Sequence, residues 1–308
     1  MKELLPLRAV LVTGKGGVGK TTVAASIARY FAASGKRVLA AEISDGSGDE
    51  DTTSALAAAL GAETITDQPR EIAPKLFLGA ISATSGHTKF LRDVLPMKVL
   101  ADAAMKSGAI RRFLSAAPTF PEMGVLYRLL DLERQKEKDG SFTYDTIVCD
   151  LPATGHALAL AQIPESLLRV ISSGPIATAV KEGLEFLLDP EQVGCVIVTL
   201  PETLPVSEAI ELARGVREHK IPFARVIVNR VPFNPFEDDE RAFLDRTLEA
   251  RGPVLGVRTL ERIDRAKAAI DRVRAAVDVP VQVMQEMWHE GPKVAAEMAS
   301  LISLELAK

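Results

Sequence analysis

The sequence predicts a doubly wound α/β fold, a mostly parallel β-sheet with helices on both faces. Short, almost continuously apolar runs alternate along the chain with stretches of helical spacing. Strands buried on both faces are apolar throughout, and parallel strands need long, usually helical, connections. A glycine-rich segment also lies directly between the first run and the first helical stretch, where this fold places its ligand loop. The predicted strands are residues 7–14, 36–43, 75–82, 144–150, 194–200 and 224–230.

The helices follow from apolar spacing and from stop signals. The first is predicted from Lys20 to Ser34 and ends before Gly35, and a second runs through residues 54–60 and ends at Gly61. Residues 260–277 have one apolar face and one face of mixed charge, which is typical of a solvated helix. The last residues are predicted to form a docked helix, with apolar spacing at Val294, Met298, Leu301 and Leu304.

One interval departs from the alternation of strand and helix. Residues 85–140 carry apolar side chains at helical spacing and are divided by Pro96, Pro118 and Pro121. The sequence therefore predicts a helical insertion at 85–140 within a single domain that covers residues 1–308. Spacing alone leaves open whether this insertion is a binding groove or a cover.

Composition narrows the class of function. The 308 residues, 47% of them hydrophobic, are ample for a large core, and a net charge of −4 gives no overall attraction for nucleic acid. No apolar stretch reaches the roughly 18 residues of a membrane span, so we expect no integral membrane segment. Cys149 and Cys195 lie far apart in apolar runs, which favours buried thiols and a cytoplasmic location.

The segment between the first strand and the first helix carries the strongest chemical signal. Its pattern is typical of a phosphate-binding loop, in which backbone N–H groups surround phosphates at a helix N-terminus. Lys20 would then reach the β- and γ-phosphate oxygens, and Thr21 would bind Mg²⁺, so ATP or ADP with Mg²⁺ is the expected ligand. The alternative is a glycine-rich turn with no ligand. The segment reads Gly14, Lys15, Gly16, Gly17, Val18, Gly19, Lys20, Thr21 and Thr22.

Lys15 adds a second expectation to this loop. A cation directly after the first glycine cannot point at its own phosphates as Lys20 does. Across a dimer interface it could contact the partner's nucleotide and neutralise charge in the transition state. The sequence therefore predicts a dimer with Lys15 as a catalytic residue.

A second motif begins at the end of the fourth predicted strand. Asp150 ends this strand, where enzymes with a phosphate-binding loop place an acid that contacts the ligands of the metal. Thr154 and Gly155 would form a loop that senses a γ-phosphate. His156 follows, and a lone histidine of this kind is more often structural than catalytic.

GKGGVGKTT together with DLPATGHALALAQIPESL resembles the ArsA-like, or anion-transporting, ATPases, a branch of the P-loop NTPases with a deviant Walker A motif. The family's second motif is Asp-Thr-Ala-Pro-Thr-Gly-His, and here the proline comes one place early, at Pro152. The resemblance implies Lys15 as the intermonomer lysine, Lys20 and Thr21 as the phosphate and Mg²⁺ residues, and Asp150 in the second switch. It also matches Asn229 to an adenine-reading asparagine, whose alternative is a turn residue after a strand.

The first switch departs from that family. The family ends the second strand with Asp-Pro-Ala-His, whose aspartate positions the attacking water, and the equivalent position here is Ser44. Three alternatives follow: Asp45 substitutes for that aspartate, Glu42 substitutes for it, or hydrolysis is slow. We take Asp45 as the candidate catalytic residue, with a solvated loop charge as the alternative.

The function that follows is a dimeric, Mg²⁺-dependent ATPase that acts as a conformational switch and controls a client protein at the insertion. The dimer is a homodimer or a heterodimer with a paralogue. The alternative is a nucleotide-binding scaffold with little or no hydrolysis. The isolated cysteines disfavour arsenite capture and a Cys-x-x-Cys zinc clamp, and the few cations at the C-terminus disfavour a membrane-surface positioning ATPase.

Overall fold

The computed structural model describes residues 1–44, 53–94, 120–152, 173–249, 255–289 and 291–305, together with Leu158, Leu160, Gln162 and Leu168. The strands are β1 (Ala9–Gly14), β2 (Val38–Ser44), β3 (Arg70–Ala73), β4 (Leu76–Ser82), β5 (Thr146–Asp150), β6 (Val193–Thr199), β7 (Phe223–Val231) and β8 (Val281–Gln285). The helices are α1 (Lys20–Ala33), α2 (Ala55–Leu60), α3 (Ala83–Val94), α4 (Phe120–Glu133), α5 (Pro175–Leu188), α6 (Thr203–Glu218), α7 (Asp238–Glu249), α8 (Leu255–Ala276) and α9 (Pro292–Glu305).

The eight strands form one sheet in the order β3-β4-β2-β5-β1-β6-β7-β8, and every pair except β3–β4 is parallel. The predicted doubly wound α/β fold is confirmed. Strand β1 lies in the middle, with β2, β3, β4 and β5 on one side of it and β6, β7 and β8 on the other. Connections that diverge in this way open a crevice at the carboxyl end of the central strand, which is the usual ligand site of such a sheet.

Two layers of helices cover the sheet. Alternate residues of a strand point to opposite faces, so Val10 and Val12 of β1 pack with α1, α2 and α9, whereas Leu11 packs towards α4, α5 and α6. Cys149 and Cys195 lie opposite Leu11 on its two sides. Burial raises the pKa of each thiol to about 12. Two strand spacings, about 9.5 Å, separate them, which is too far for a disulfide.

The predicted helix boundaries are confirmed where the stop signals are strong. Helix α1 ends at Ala33 before Gly35 (φ +94°), and α2 begins after Ser54, whose hydroxyl accepts from the N–H of Ala57, and ends before Gly61 (φ +77°). Helix α8 buries the predicted apolar face, and no described helix has both the length and the apolarity to cross a bilayer.

Helix α9 docks as expected, but its buried face was partly mispredicted. It packs against α1 and α2 through Ala295, Met298, Ala299 and Ile302, whereas Leu301 is 39% exposed. Alanines allow the close approach of helix to helix, so the small residues decided the orientation and the leucine did not.

Helices α3 and α4 come from the predicted insertion, of which residues 95–119 lie outside the described residues. The two helices meet at glycines: a Cβ on Gly86 would lie 1.8 Å from the carbonyl oxygen of Gly124. Apolar side chains of α4 also join the core on the sheet, among them Leu126 and Leu129. Helix α4 is therefore part of a covering layer, and the extent of the insertion stays a prediction.

Arg8, which precedes β1, connects that strand to helix α4 through hydrogen bonds. Its guanidinium donates to the side chain (2.9 Å) and carbonyl oxygen (2.7 Å) of Glu133, and to the carbonyl oxygens of Tyr144 (2.7 Å) and Asp145 (2.9 Å). One side chain thus joins the end of α4, the approach to β5 and the central strand.

Candidate functional site

The segment of residues 14–22, the glycine loop, connects the carboxyl end of β1 to the N-terminus of α1. Two of its glycines have no room for a side chain. A Cβ on Gly14 (φ +146°) would lie 2.2 Å from the carbonyl oxygen of Val198, and a Cβ on Gly19 (φ +90°) would lie 2.4 Å from Nδ2 of Asn229. The loop therefore passes against its neighbours while turning into the helix, whose N-terminal N–H groups favour an anion.

Asn229, 211 positions after Val18 in the sequence, holds this loop through a hydrogen bond. It lies within β7, is 4% exposed, and donates from Nδ2 to the carbonyl oxygen of Val18 at 2.9 Å. The pairing of β7 with β8 is irregular between Val228 and Val231, and Arg230 there has φ +54°. The interpretation of Asn229 as a turn residue is wrong, because it is a buried strand residue. Its reading of adenine stays a prediction, to which its Oδ1 would contribute.

Lys20, the first residue of α1, lies folded back over the loop. Its Nζ donates to the carbonyl oxygen of Lys15 at 3.1 Å. Burial lowers the pKa of Lys20, and the charge of Asp150 opposes that shift. Among the described residues, one neutral acceptor thus holds the ammonium at the loop, and phosphate oxygens can replace it.

Thr21 and Asp150 meet at the same point. The Thr21 hydroxyl donates to Oδ2 of Asp150 at 2.6 Å, and the second oxygen of this carboxylate is buried without a partner among the described residues. Burial above all, and then the charge of Glu42 on the adjacent strand, raises the pKa of Asp150 to about 6, although Thr21 and Lys20 act in the opposite direction.

This donor set fits Mg²⁺. Hydroxyl and carboxylate oxygens are ligands that Mg²⁺ takes, and the unpartnered oxygen of Asp150 leaves a hydrogen-bond position for a metal-bound water. Within the described residues no group of three or more His, Cys, Asp or Glu could hold a metal ion. A Mg²⁺ site at Thr21 would therefore need phosphate oxygens and water to complete it, as is usual for this ion.

Lys15 turns away from the loop and pairs with α6. Its Nζ lies 2.8 Å from Oε1 of Glu208, with the two side chains 38% and 33% exposed. Glu208 was not predicted from the sequence. No local signal marks it, because 193 positions separate the pair and only the fold brings them together.

The candidate residues of the two switches are divided between described and undescribed parts of the chain. Asp45, Thr154, Gly155 and His156 lie outside the described residues. Glu42 accepts with Oε2 from the Ser54 hydroxyl and from the N–H of Leu56 (3.0 Å), so that oxygen caps α2. This contact gives Glu42 a structural role that its position in the sequence does not predict.

A cavity of about 570 Å³, the side cavity, opens next to the glycine loop. It begins at Thr22 and Asn229 and continues to the chain that follows β8, where Met287 and His289 form part of its wall. Its size is that of a small-molecule site. This wall was not predicted from the sequence, because β8 itself was not predicted.

Comparison with known proteins agrees with this geometry. The sequence pattern of the anion-transporting ATPases matches residues 7–174. ATPase BagA of Mycobacterium tuberculosis is 28% identical over 233 residues, which are 74% of this chain and 66% of that protein. ATPase GET3C of Arabidopsis thaliana is 24% identical over 265 residues (72% and 66%), and ATPase GET3 of Zygosaccharomyces rouxii is 24% identical over 279 residues (79% and 76%).

The chain thus spans about two thirds of the length of the first two of these relatives. The family match extends from β1 past Asp150 and takes in the glycine loop, and it covers more than half of the 308 residues. This chain belongs to the anion-transporting ATPase family.

Proposed function

We propose that the chain is a Mg²⁺-dependent ATPase whose nucleotide state switches a dimer between conformations and so controls a partner protein. Membership of an ATPase family implies nucleotide binding. The observation that carries the proposal is the convergence of Lys20, Thr21 and Asp150 on a glycine loop at a helix N-terminus.

Each of these residues has a defined task. Lys20 exchanges the carbonyl oxygen of Lys15 for phosphate oxygens and brings a positive charge to them. Thr21 would hold Mg²⁺, and Asp150 orients the Thr21 hydroxyl and accepts hydrogen bonds from metal-bound water. A bound Mg²⁺ would neutralise charge on the phosphate oxygens. Asn229 keeps the loop in its wound form through Val18.

Lys15 acts across the dimer interface in this proposal. To do so it must leave Glu208, and an ion pair near the surface, here with side chains 38% and 33% exposed, contributes only about 0–1 kcal/mol. The nucleotide of a second subunit, whether identical or a paralogue, can therefore compete for Lys15 at little cost. We place the water-positioning carboxylate at Asp45 and the client at the 85–140 insertion.

The first experiment measures steady-state ATP hydrolysis with Mg²⁺ together with the mass in solution. Lys15→Ala should abolish turnover, by at least 100-fold, while nucleotide binding remains, because a trans-acting cation contributes mainly to the transition state. Lys20→Ala should weaken binding itself. Lys181→Ala, on the exposed side of α5, is the matched control and should behave as wild type. Full turnover by Lys15→Ala would refute the role of Lys15.

A nucleotide-binding scaffold with little hydrolysis is the second candidate. Two observations favour it: the family's aspartate position is Ser44, and Glu42 is engaged in capping α2. Asp45→Asn separates the two candidates, because an ATPase should lose turnover while a scaffold should retain its complexes unchanged. Tight binding without turnover in the wild type would favour the scaffold.

A further inference from the structure

A second cavity, of about 500 Å³, lies at the carboxyl ends of β6 and β7. Its volume is in the range of small-molecule sites. Helix α8 contributes Arg262 and Arg265 to its wall, and the end of β7 contributes Arg230. We call this space, lined by three arginines from two elements, the arginine cavity.

The acidic residues of the wall neutralise only part of this positive charge. Glu286 is paired, because its Oε2 lies 2.9 Å from a guanidinium nitrogen of Arg262. Glu202, at the N-terminus of α6, has no side-chain partner among the described residues. Three arginines against two glutamates leave a net charge of +1 on the wall that the described residues form. The cavity therefore favours a negatively charged ligand.

The guanidinium groups of Arg230 and Arg265 are available to such a ligand. The side chain of Arg230 makes no hydrogen bond or ion pair with any described residue. Arg265 donates from Nε to the carbonyl oxygen of Glu261 at 3.1 Å, and the carboxylate of Glu261 lies 4.0 Å from its guanidinium. The Arg265 side chain is 73% exposed, and an ion pair that is so exposed and so long holds a side chain weakly.

The backbone around the cavity is fixed at three points. Arg230 has φ +54° where the pairing of β7 with β8 is irregular. A left-handed conformation is costly for a residue other than glycine, and such conformations are retained mainly where they position a functional group. Pro201 and Pro232 also lie in the wall, and their rings restrict the backbone there. The cavity is thus formed before a ligand arrives.

We propose that the arginine cavity binds the phosphate group of a small phosphorylated molecule, at a site separate from the glycine loop. A phosphate monoester carries about two negative charges at pH 7, which match two guanidinium groups better than the single charge of a carboxylate does. The planar guanidinium group also binds two phosphate oxygens at once. This inference goes beyond the proposed function and does not depend on it, because no residue of the glycine loop lines the cavity.

The arginine cavity has a neighbour from which its ligand must be distinguished. Arg230 and Glu286 also line the side cavity next to the glycine loop. A measurement on the whole protein would add the binding of an anion at the loop to binding at the arginines. The experiment must therefore follow individual arginine residues.

Labelling of arginine side chains with phenylglyoxal, read residue by residue by mass spectrometry, gives that resolution. The full chain is labelled with and without inorganic phosphate at constant ionic strength, and acetate serves as the carboxylate probe. Phosphate should slow the labelling of Arg230 and Arg265 with the same half-saturation concentration, whereas acetate should not. Arg214, which is exposed on α6 and absent from the wall, should be labelled at an unchanged rate.

Two variants change the site in opposite directions. Arg230→Ala should raise the phosphate concentration that half-protects Arg265 by about 10-fold or more, because it removes a charged hydrogen-bond donor. Glu202→Gln should lower that concentration, because it removes a negative charge from the wall. The matched controls, Arg214→Ala and Glu211→Gln, change exposed residues of α6 outside the wall and should leave it unchanged. All four positions are exposed, so circular dichroism of the variants should match the wild type.

Several results would overturn the proposal. Equal labelling of Arg230 and Arg265 with and without phosphate, or equal protection of Arg214, would mean that the cavity is not a site. Protection by acetate as strong as that by phosphate would refute the assignment of a phosphate group. If Lys20→Ala abolishes the protection of Arg230 and Arg265, the anion acts from the glycine loop and the separate site is wrong.

Discussion

Alanine substitutions along the glycine loop test whether its backbone conformation depends on the hydrogen bond from Asn229 to Val18, called the clasp below. Gly16, Gly17 and Gly19 lie within four positions of each other but differ in their surroundings. A Cβ on Gly16 meets no atom of the described residues within 4 Å, and the same is true of Gly17, although its φ is +85°. Gly19 combines φ +90° with a Cβ position 2.4 Å from Nδ2 of Asn229, below the 3.0 Å that real Cβ atoms respect.

The expected losses of unfolding free energy follow from these differences. Gly16→Ala should cost nothing or stabilise by about 0.4–1 kcal/mol, because the unfolded chain loses freedom. Gly17→Ala should cost about 1–2 kcal/mol for a left-handed alanine. Gly19→Ala should cost that amount and about 1–3 kcal/mol more, because Asn229 must leave the buried carbonyl of Val18.

Urea denaturation of the nucleotide-free protein measures all three variants, provided that the transition is two-state. Asn229→Ala serves as the partner in a double-mutant cycle with Gly19→Ala. The two changes should be less than additive by about 1–3 kcal/mol, because each removes the same hydrogen bond. A Gly19→Ala variant no less stable than Gly17→Ala, or full additivity with Asn229→Ala, would refute the clasp.

Three further outcomes are expected. Because the pKa of Asp150 is raised to about 6 from an ordinary 3.8, the folded metal-free protein holds this proton more tightly than the unfolded chain, and stability present below pH 4 is lost as the pH rises through 6. In urea denaturation with EDTA, Asp150→Asn should therefore stabilise the protein by up to about 3 kcal/mol at pH 8 and by nothing near pH 4. A gain in stability that does not depend on pH would contradict this. Arg8→Ala leaves Glu133, whose side chain is 10% exposed, without its partner, and should lower the free energy of unfolding by about 3–5 kcal/mol in thermal unfolding. The double variant Arg8→Ala with Glu133→Gln should lose less than Arg8→Ala alone, and an equal or larger loss would contradict this. Cys149 and Cys195, buried and with pKa about 12, should resist iodoacetamide at pH 8 until urea unfolds the chain, and rapid labelling of the native protein would contradict their burial.

Local signals in the sequence predicted most of the framework. The parallel strands next to the glycine loop are continuous apolar runs, and Gly35 and Gly61 end their helices where the residue types require. Strand β3 was missed because its four residues, Arg70–Ala73, form an exposed antiparallel edge with little apolar content. Strand β8 was missed because it is only five residues long and only two of those residues are buried.

The candidate site was predicted only as far as its residues are contiguous. Lys20 and Thr21 belong to one motif, and their chemistry can be inferred from it. The contacts of Lys15 with Glu208 and of Asn229 with Val18 join distant parts of the chain, so no local pattern contains them. The capping of α2 by Glu42 likewise depends on where the helix lies beside its strand.

The central position of β1 has a consequence for how the protein is made. Ala9 pairs with Ile147 on one side and with Val193 on the other. A ribosome thus releases the glycine loop early, but the strand that carries it stays without neighbours until β5 and β6 have emerged. Asn229, which clasps the loop, arrives later still. The glycine loop therefore reaches its final, hydrogen-bonded form only after synthesis has passed β7.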